Sequence, residues 1–320
     1  LLPAPIDVRC AKGKVHYNGS LIASIMYEAA GDEGTHEYIC FEREVPIMGS
    51  VDADGVDEND MVLCDISVSG ISHRPQADEL GETKTVELDF DYSAFFRVFA
   101  KSECNVTTDM YSLNYENSCE REDLSYRTAE ASKMFNFSFN ESTPYDDGDF
   151  GRVLCAQGSA CVSSVEKVGT KAAVSGSVTF SLIMGGENGT YAGKSFTLPF
   201  RADTEIGRFA ELFSFTACAC VQNIGARISD GKIFFDAEIT VDLLLFGEKQ
   251  IDALKTCTVF TDRPVTAYDH SNIVLYYPSR GDDLWTVAKK YNTTVEKLAS
   301  LNGISKESLS GGVLVIPTRE

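Results

Sequence analysis

A chain of 320 residues and 35.0 kDa can hold two or three domains with cores of their own, and its 43% apolar content argues against disorder. With 48 acidic against 28 basic side chains the net charge is −20, a surface that repels phosphate backbones and anionic lipid heads and argues against nucleic acid or bare membrane as partners. No apolar run approaches the roughly 20 residues that a bilayer-spanning helix needs, so direct membrane insertion is not expected; the chain opens at Leu1 rather than Met, which leaves export open.

Along the chain, the first strand signal is KVHYNGSLIASIMY at 14–27, where apolar and small or polar residues alternate. FEREVPI at 41–47 follows a Gly-containing turn, and Pro46 belongs at a strand end or edge because proline removes a ladder donor. MVLCDISVSGI (61–71) and KTVELDFDYSAFFRVFA (84–100) are two further strands. The acidic stretch DADGVDEND (52–60) lacks the Gly and Glu that a calcium loop beginning at Asp52 requires, and reads as a solvated hairpin loop. Residues 101–150 are polar and form a connector, with a short helix expected from about Cys119 to Ser132.

From 151 onward the pattern repeats. KAAVSGSVTFSLIM (171–184) matches 14–27 in register, Gly176 with Gly19 and Ser177 with Ser20, at a spacing of 157 residues. SFTLPF (195–200) places Pro199 opposite Pro46 at a spacing of 153. LFSFTACACVQNI (212–224) and GKIFFDAEITVDLLLFG (231–247) answer the second half of the first copy. Such a pattern is what duplication leaves behind, and two copies predict two β-domains rather than a solenoid.

The ten cysteines are scattered through alternating runs, with no C-x-x-C pair, and are expected to be mostly reduced and buried; Cys218 and Cys220 share one strand face. His16, His36, His73 and His270 fall in no metal-ligand or triad spacing, and no phosphate-cradling loop is present. A protein without catalytic residues, metal or cofactor is expected.

After a linker at 263–272, residues 273–318 read as β-α-α-β. IVLYY is a short strand, Gly281 breaks the chain, and Asp282 or Asp283 caps a first helix with an apolar stripe of Leu284, Val287, Ala288 and Tyr291. Thr293 or Thr294 caps a second helix, Asn302-Gly303 stops it, and GGVLVIP closes with a strand. The fold class is therefore mainly β: two repeated β-rich, sandwich-like domains at 1–100 and 151–262, plus a small α+β module at 273–318.

This module resembles the LysM family. Gly281, Asp282, Leu284, Trp285, Ala288, Tyr291, Leu298, Leu301, Asn302, Leu314, Ile316 and Pro317 stand at the family spacing, and Asp283 replaces the usual Thr. The resemblance implies a ligand groove between the loops before the first helix and after the second, here Gly281, Asp282, Asp283 and Leu284 with Asn302, Gly303, Ile304 and Ser305. The paired carboxylates Asp282 and Asp283 suit a basic protein surface better than a neutral sugar polymer. Trp285, the one tryptophan, belongs either to the core of the module or to ligand contact. The repeats with a C-terminal LysM module are similar to SPOCS-domain proteins of endospore-forming bacteria. The SipL-like members of that group imply a mother-cell cytoplasmic protein at the forespore surface and spore coat, docking the coat's basal-layer ATPase. The alternative is a cell-wall protein that binds the N-acetylglucosamine-containing glycan chains of peptidoglycan.

Overall fold

A computed structural model describes residues 1–30, 36–77, 79, 81, 83–186, 189–208, 212–265, 274–279, 281–305 and 312–317. The structure is mainly β with two short helices near the C-terminus. Contacts divide it into two compact units, Leu1–Ser102 with Arg127–Lys249, and Glu103–Tyr126 with Gln250–Glu320.

The first unit contains both repeats. In the first copy, β1 (Leu2–Pro3) and β2 (Asp7–Ala11) pair with β3 (Lys14–Ala30), which pairs on its other side with β4 (His36–Asp52). A separate two-stranded ladder joins β5 (Met61–Ala77) and β6 (Thr83–Phe99). After β7 (Tyr115–Pro144), the second copy sets β8 (Arg152–Val168), β9 (Lys171–Gly185) and β10 (Tyr191–Glu205) in one sheet. A second sheet has the order β11 (Leu212–Ser229), β12 (Lys232–Pro264), β7.

Strand pairing shows how closely the copies correspond. Gly19 and Ser20 stand opposite Ile47 and Pro46; Gly176 and Ser177 stand opposite Phe200 and Pro199. A Cβ on Gly176 would overlap the Cys161 carbonyl, so close approach of the neighbouring strand forbids a side chain there, and one on Gly19 would displace the tip of the Ile6 side chain and crowd the Pro5 carbonyl. The pairing Met61↔Phe99 recurs as Ser214↔Phe246. The bulge between Ser69 and Ser72 recurs between Gln222 and Gly225, with Gly70 and Asn223 at φ 62° and 52°. Where β8 has a bulge between Val162 and Ser164, the first copy breaks into β1 and β2 around Pro5, which has no N–H to donate.

The second copy holds the larger core. Alternate residues of β12 point inward, and Phe235 stacks on Phe180 at 4.4 Å between centroids. Phe139 of β7 lies against Phe180 at 5.7 Å and Phe137 against Phe200 at 5.4 Å. The first copy's buried cluster is smaller, centred on Leu21, Ile47 and Ile66.

Residues 101–150 do not form the connector read from the sequence. The helix expected over 119–132 is part of β7, whose pairing with β12 outweighs the weak helical preference of a short polar stretch. The linker expected at 263–272 begins inside β12, which runs to Pro264, and 266–272 lie outside the described residues. All ten cysteines are free, but Cys104 and Cys161 are exposed and Cys155 alone is fully buried, so the thiols are less buried than alternation implied. Cys40 Sγ lies 2.7 Å from Cys155 Sγ, and Cys119 Sγ lies 3.2 Å from Cys257 Sγ.

Candidate functional site

The second unit folds around the C-terminal module. β13 (Val274–Tyr276) pairs antiparallel with β14 (Leu314–Ile316), and α1 (Leu284–Lys290) and α2 (Val295–Asn302) are the helices between them. Leu284, Val287, Ala288, Leu298, Ala299, Leu314 and Ile316 form its buried core. The apolar stripe read from the sequence is thus the inner face of α1.

Each helix end is closed by the residue type its geometry needs. Asp283 caps α1, its Oδ1 accepting from the Thr286 N–H at 2.7 Å. Thr294 caps α2 by accepting from the Lys297 N–H at 3.2 Å. Gly303, at φ 63°, ends α2. Its N–H donates to the Ser300 carbonyl and that of Ile304 to the Ala299 carbonyl, with Ile304 packed on the core.

The two loops of the candidate groove hang on the same pair of strands. Asp282 Oδ2 accepts from Tyr276 Oη at 2.6 Å and from the Ser279 N–H at 2.7 Å, which fixes the first loop to β13. Asn302 Nδ2 donates to the Leu298 and Val315 carbonyls at 2.8 Å each, and its Oδ1 accepts from the Val315 N–H at 2.7 Å, which fixes the second loop to β14. Tyr276 is paired with Leu314, the neighbour of Val315, so the two attachments lie on adjacent rungs of the small sheet.

The eight groove residues therefore separate by role. Leu284 is core, Ile304 packs against the core, and Asp282 and Asn302 hold the loops in place. Gly281, Asp283, Gly303 and Ser305 are exposed. Both carboxylates of the Asp282–Asp283 pair accept hydrogen bonds within the module. The Tyr276 hydroxyl and Ser279 N–H hold the Asp282 carboxyl below its usual range, and hydrogen bonds from Thr286 do the same for Asp283. Asp283 keeps an exposed face while capping; Asp282 is occupied within the module.

Trp285 is not part of the module's buried core. It is 40% exposed, and its indole N–H donates to Asp109 Oδ2 at 2.8 Å. Asp109 also accepts from Lys289 Nζ at 2.7 and 2.8 Å, and Tyr111 meets the indole edge-on at 5.0 Å. Tyr111 Oη donates to the Thr293 carbonyl at 2.6 Å. Residues far upstream thus strap α1. Partial burial pushes the Asp109 carboxyl up, but hydrogen bonds from Lys289 and Trp285 outweigh it and hold the group at about 2. No local motif marks Asp109 or Tyr111, because their partners lie 176 and 182 residues further on.

Residues 279–317 match the LysM domain family. The LysM domain is a binding module and not a catalytic one. No curated protein and no solved structure matches the chain. Among the described residues no group of three or more His, Cys, Asp or Glu side chains is placed to hold a metal ion, and no helix is long and apolar enough to cross a membrane.

Proposed function

We propose that the chain is a non-catalytic assembly protein of the spore envelope, with two SPOCS-like repeats as scaffold and the LysM domain as its docking surface. The observation that carries this reading is the pairing register shared by the two repeats, including the bulge, joined to a C-terminal LysM domain. A duplicated β-scaffold followed by one binding module is the layout of SPOCS-domain coat proteins. On this reading the partner is a protein such as the coat's basal-layer ATPase, and the place of action is the mother-cell side of the forespore surface. Asp283 supports a basic partner: its carboxylate is exposed at the rim of the groove while its backbone position is fixed.

The glycan chains of peptidoglycan are the second reading, favoured by the LysM match itself. Asp283→Asn separates the two, because Asn caps a helix as well as Asp and removes the charge alone. The full chain carrying this change should bind its protein partner more weakly, with the larger loss at low salt, where exposed charges are least screened. Co-sedimentation of the unaltered chain with insoluble peptidoglycan, undiminished by Asp283→Asn, would give the site to glycan instead.

A further inference from the structure

The two repeats differ at one edge. In the second repeat β12 is paired on both sides, by β11 and by β7. In the first repeat its counterpart β6 is paired by β5, and among the described residues no strand lies on its other edge. An unpaired strand edge presents a row of backbone donors and acceptors that another strand can complete.

Burial follows the same difference. Ile233, Phe235, Ile239, Val241 and Leu243 of β12 face the core and are at most 1% exposed. The positions that match them by pairing register are Val86, Leu88, Tyr92, Ala94 and Phe96 of β6. Val86 is 37% exposed and the other four are half-buried. An apolar inner face on the same pleat is thus left incompletely covered.

The covering material in the second repeat is visible. β7 brings Phe135, Phe137 and Phe139 at alternate positions, and the last two pack on Phe200 and Phe180. At the position of Phe180 the first repeat has Ala23, and at that of Phe235 it has Leu88, so the inner layer there is thinner. Ala23 is 2% exposed, and Leu88 on the edge strand is half-buried.

We propose that the open edge of β6 is a strand-acceptor site for an extended segment with aromatic side chains at alternate positions, the chemistry that β7 supplies to β12. Main-chain pairing gives such a site affinity, and the alternating side chains give it selectivity.

A peptide with the sequence of residues 133–142, KMFNFSFNES, is the probe. Amide hydrogen exchange of the full chain is followed with and without it, against a peptide of the same composition with its three Phe adjacent. The alternating peptide should slow exchange over residues 86–98 by about tenfold and leave β12 unchanged. Leu88→Lys should abolish that slowing while far-UV circular dichroism stays that of the parent. No protection on β6, equal protection from the control peptide, or protection confined to β12 would overturn the proposal. So would a dimer of the chain alone in which β6 is already protected, since a second copy's edge would then be the occupant.

Discussion

Asp242 is the residue whose charge sits least comfortably in the second repeat. It lies on β12 between buried Val241 and Leu243 and lines a small cavity with Cys64, Cys218 and Thr240. Burial pushes its carboxyl up to about 6, with only the Leu243 N–H acting the other way. An acid with a raised folded pKa favours the folded state when protonated. Its contribution is therefore present in full below about pH 4, the unfolded value, and is lost as pH rises through 6. Asp242→Asn keeps the shape and removes the charge. It should stabilise the chain at pH 7 by on the order of 1–2 kcal/mol and leave it unchanged at pH 4, as read from urea midpoints at both values. An equal effect at the two pH values would show that packing, not ionisation, sets the difference.

Among the elements, β12 carries the second repeat, since its inward residues meet both β9 and β7. Phe235→Ala removes a ring that is 1% exposed and stacked on Phe180, and should cost about 3–5 kcal/mol. Leu88→Ala, at the matching place in the half-covered β6, should cost clearly less by the same denaturant measurement. These strands were legible in the sequence because a period of two is a local property, visible in 14–27 and 231–247 without knowledge of any partner. The helix misread at 119–132 shows the limit. NSCEREDLSYRTAEAS has neither a clean period of two nor an apolar stripe, and only its place beside β12 decides that it is extended. The helix ends of the LysM domain were legible for the converse reason. Caps and stops such as Asp283, Thr294 and Gly303 act within three or four residues of themselves. Asp282 and Asn302 were picked out by motif, but their structural work on β13 and β14 depends on pairing that no local pattern reveals.

At the scale of the whole molecule, the short β-α-α-β sequence of the LysM domain implies a self-contained unit, while the structure groups it with residues from far upstream. Residues 103–126 share its compact unit, and Tyr111 packs against its core while Asp109 holds Trp285 and Lys289. A segment cut at 273–320 loses both. It gives up a half-buried aromatic contact, the Tyr111–Thr293 bond and a set of charge-assisted hydrogen bonds, a loss of about 2–3 kcal/mol. Trp285 is the one tryptophan, so its fluorescence reports this unit alone in urea unfolding of the full chain and of the segment. The midpoint for the segment should be lower, and Asp109→Ala in the full chain should reproduce part of that drop. The Asp109 contribution carries a pH signature. Its folded pKa of about 2 lies below the unfolded value near 4, so the stabilisation is present above pH 4 and fades as pH falls toward 2. The gap between the parent chain and Asp109→Ala should therefore close over that interval. Equal midpoints for the full chain and the segment at pH 7 would mean that the upstream strap contributes nothing, and that 273–320 folds as an independent module after all.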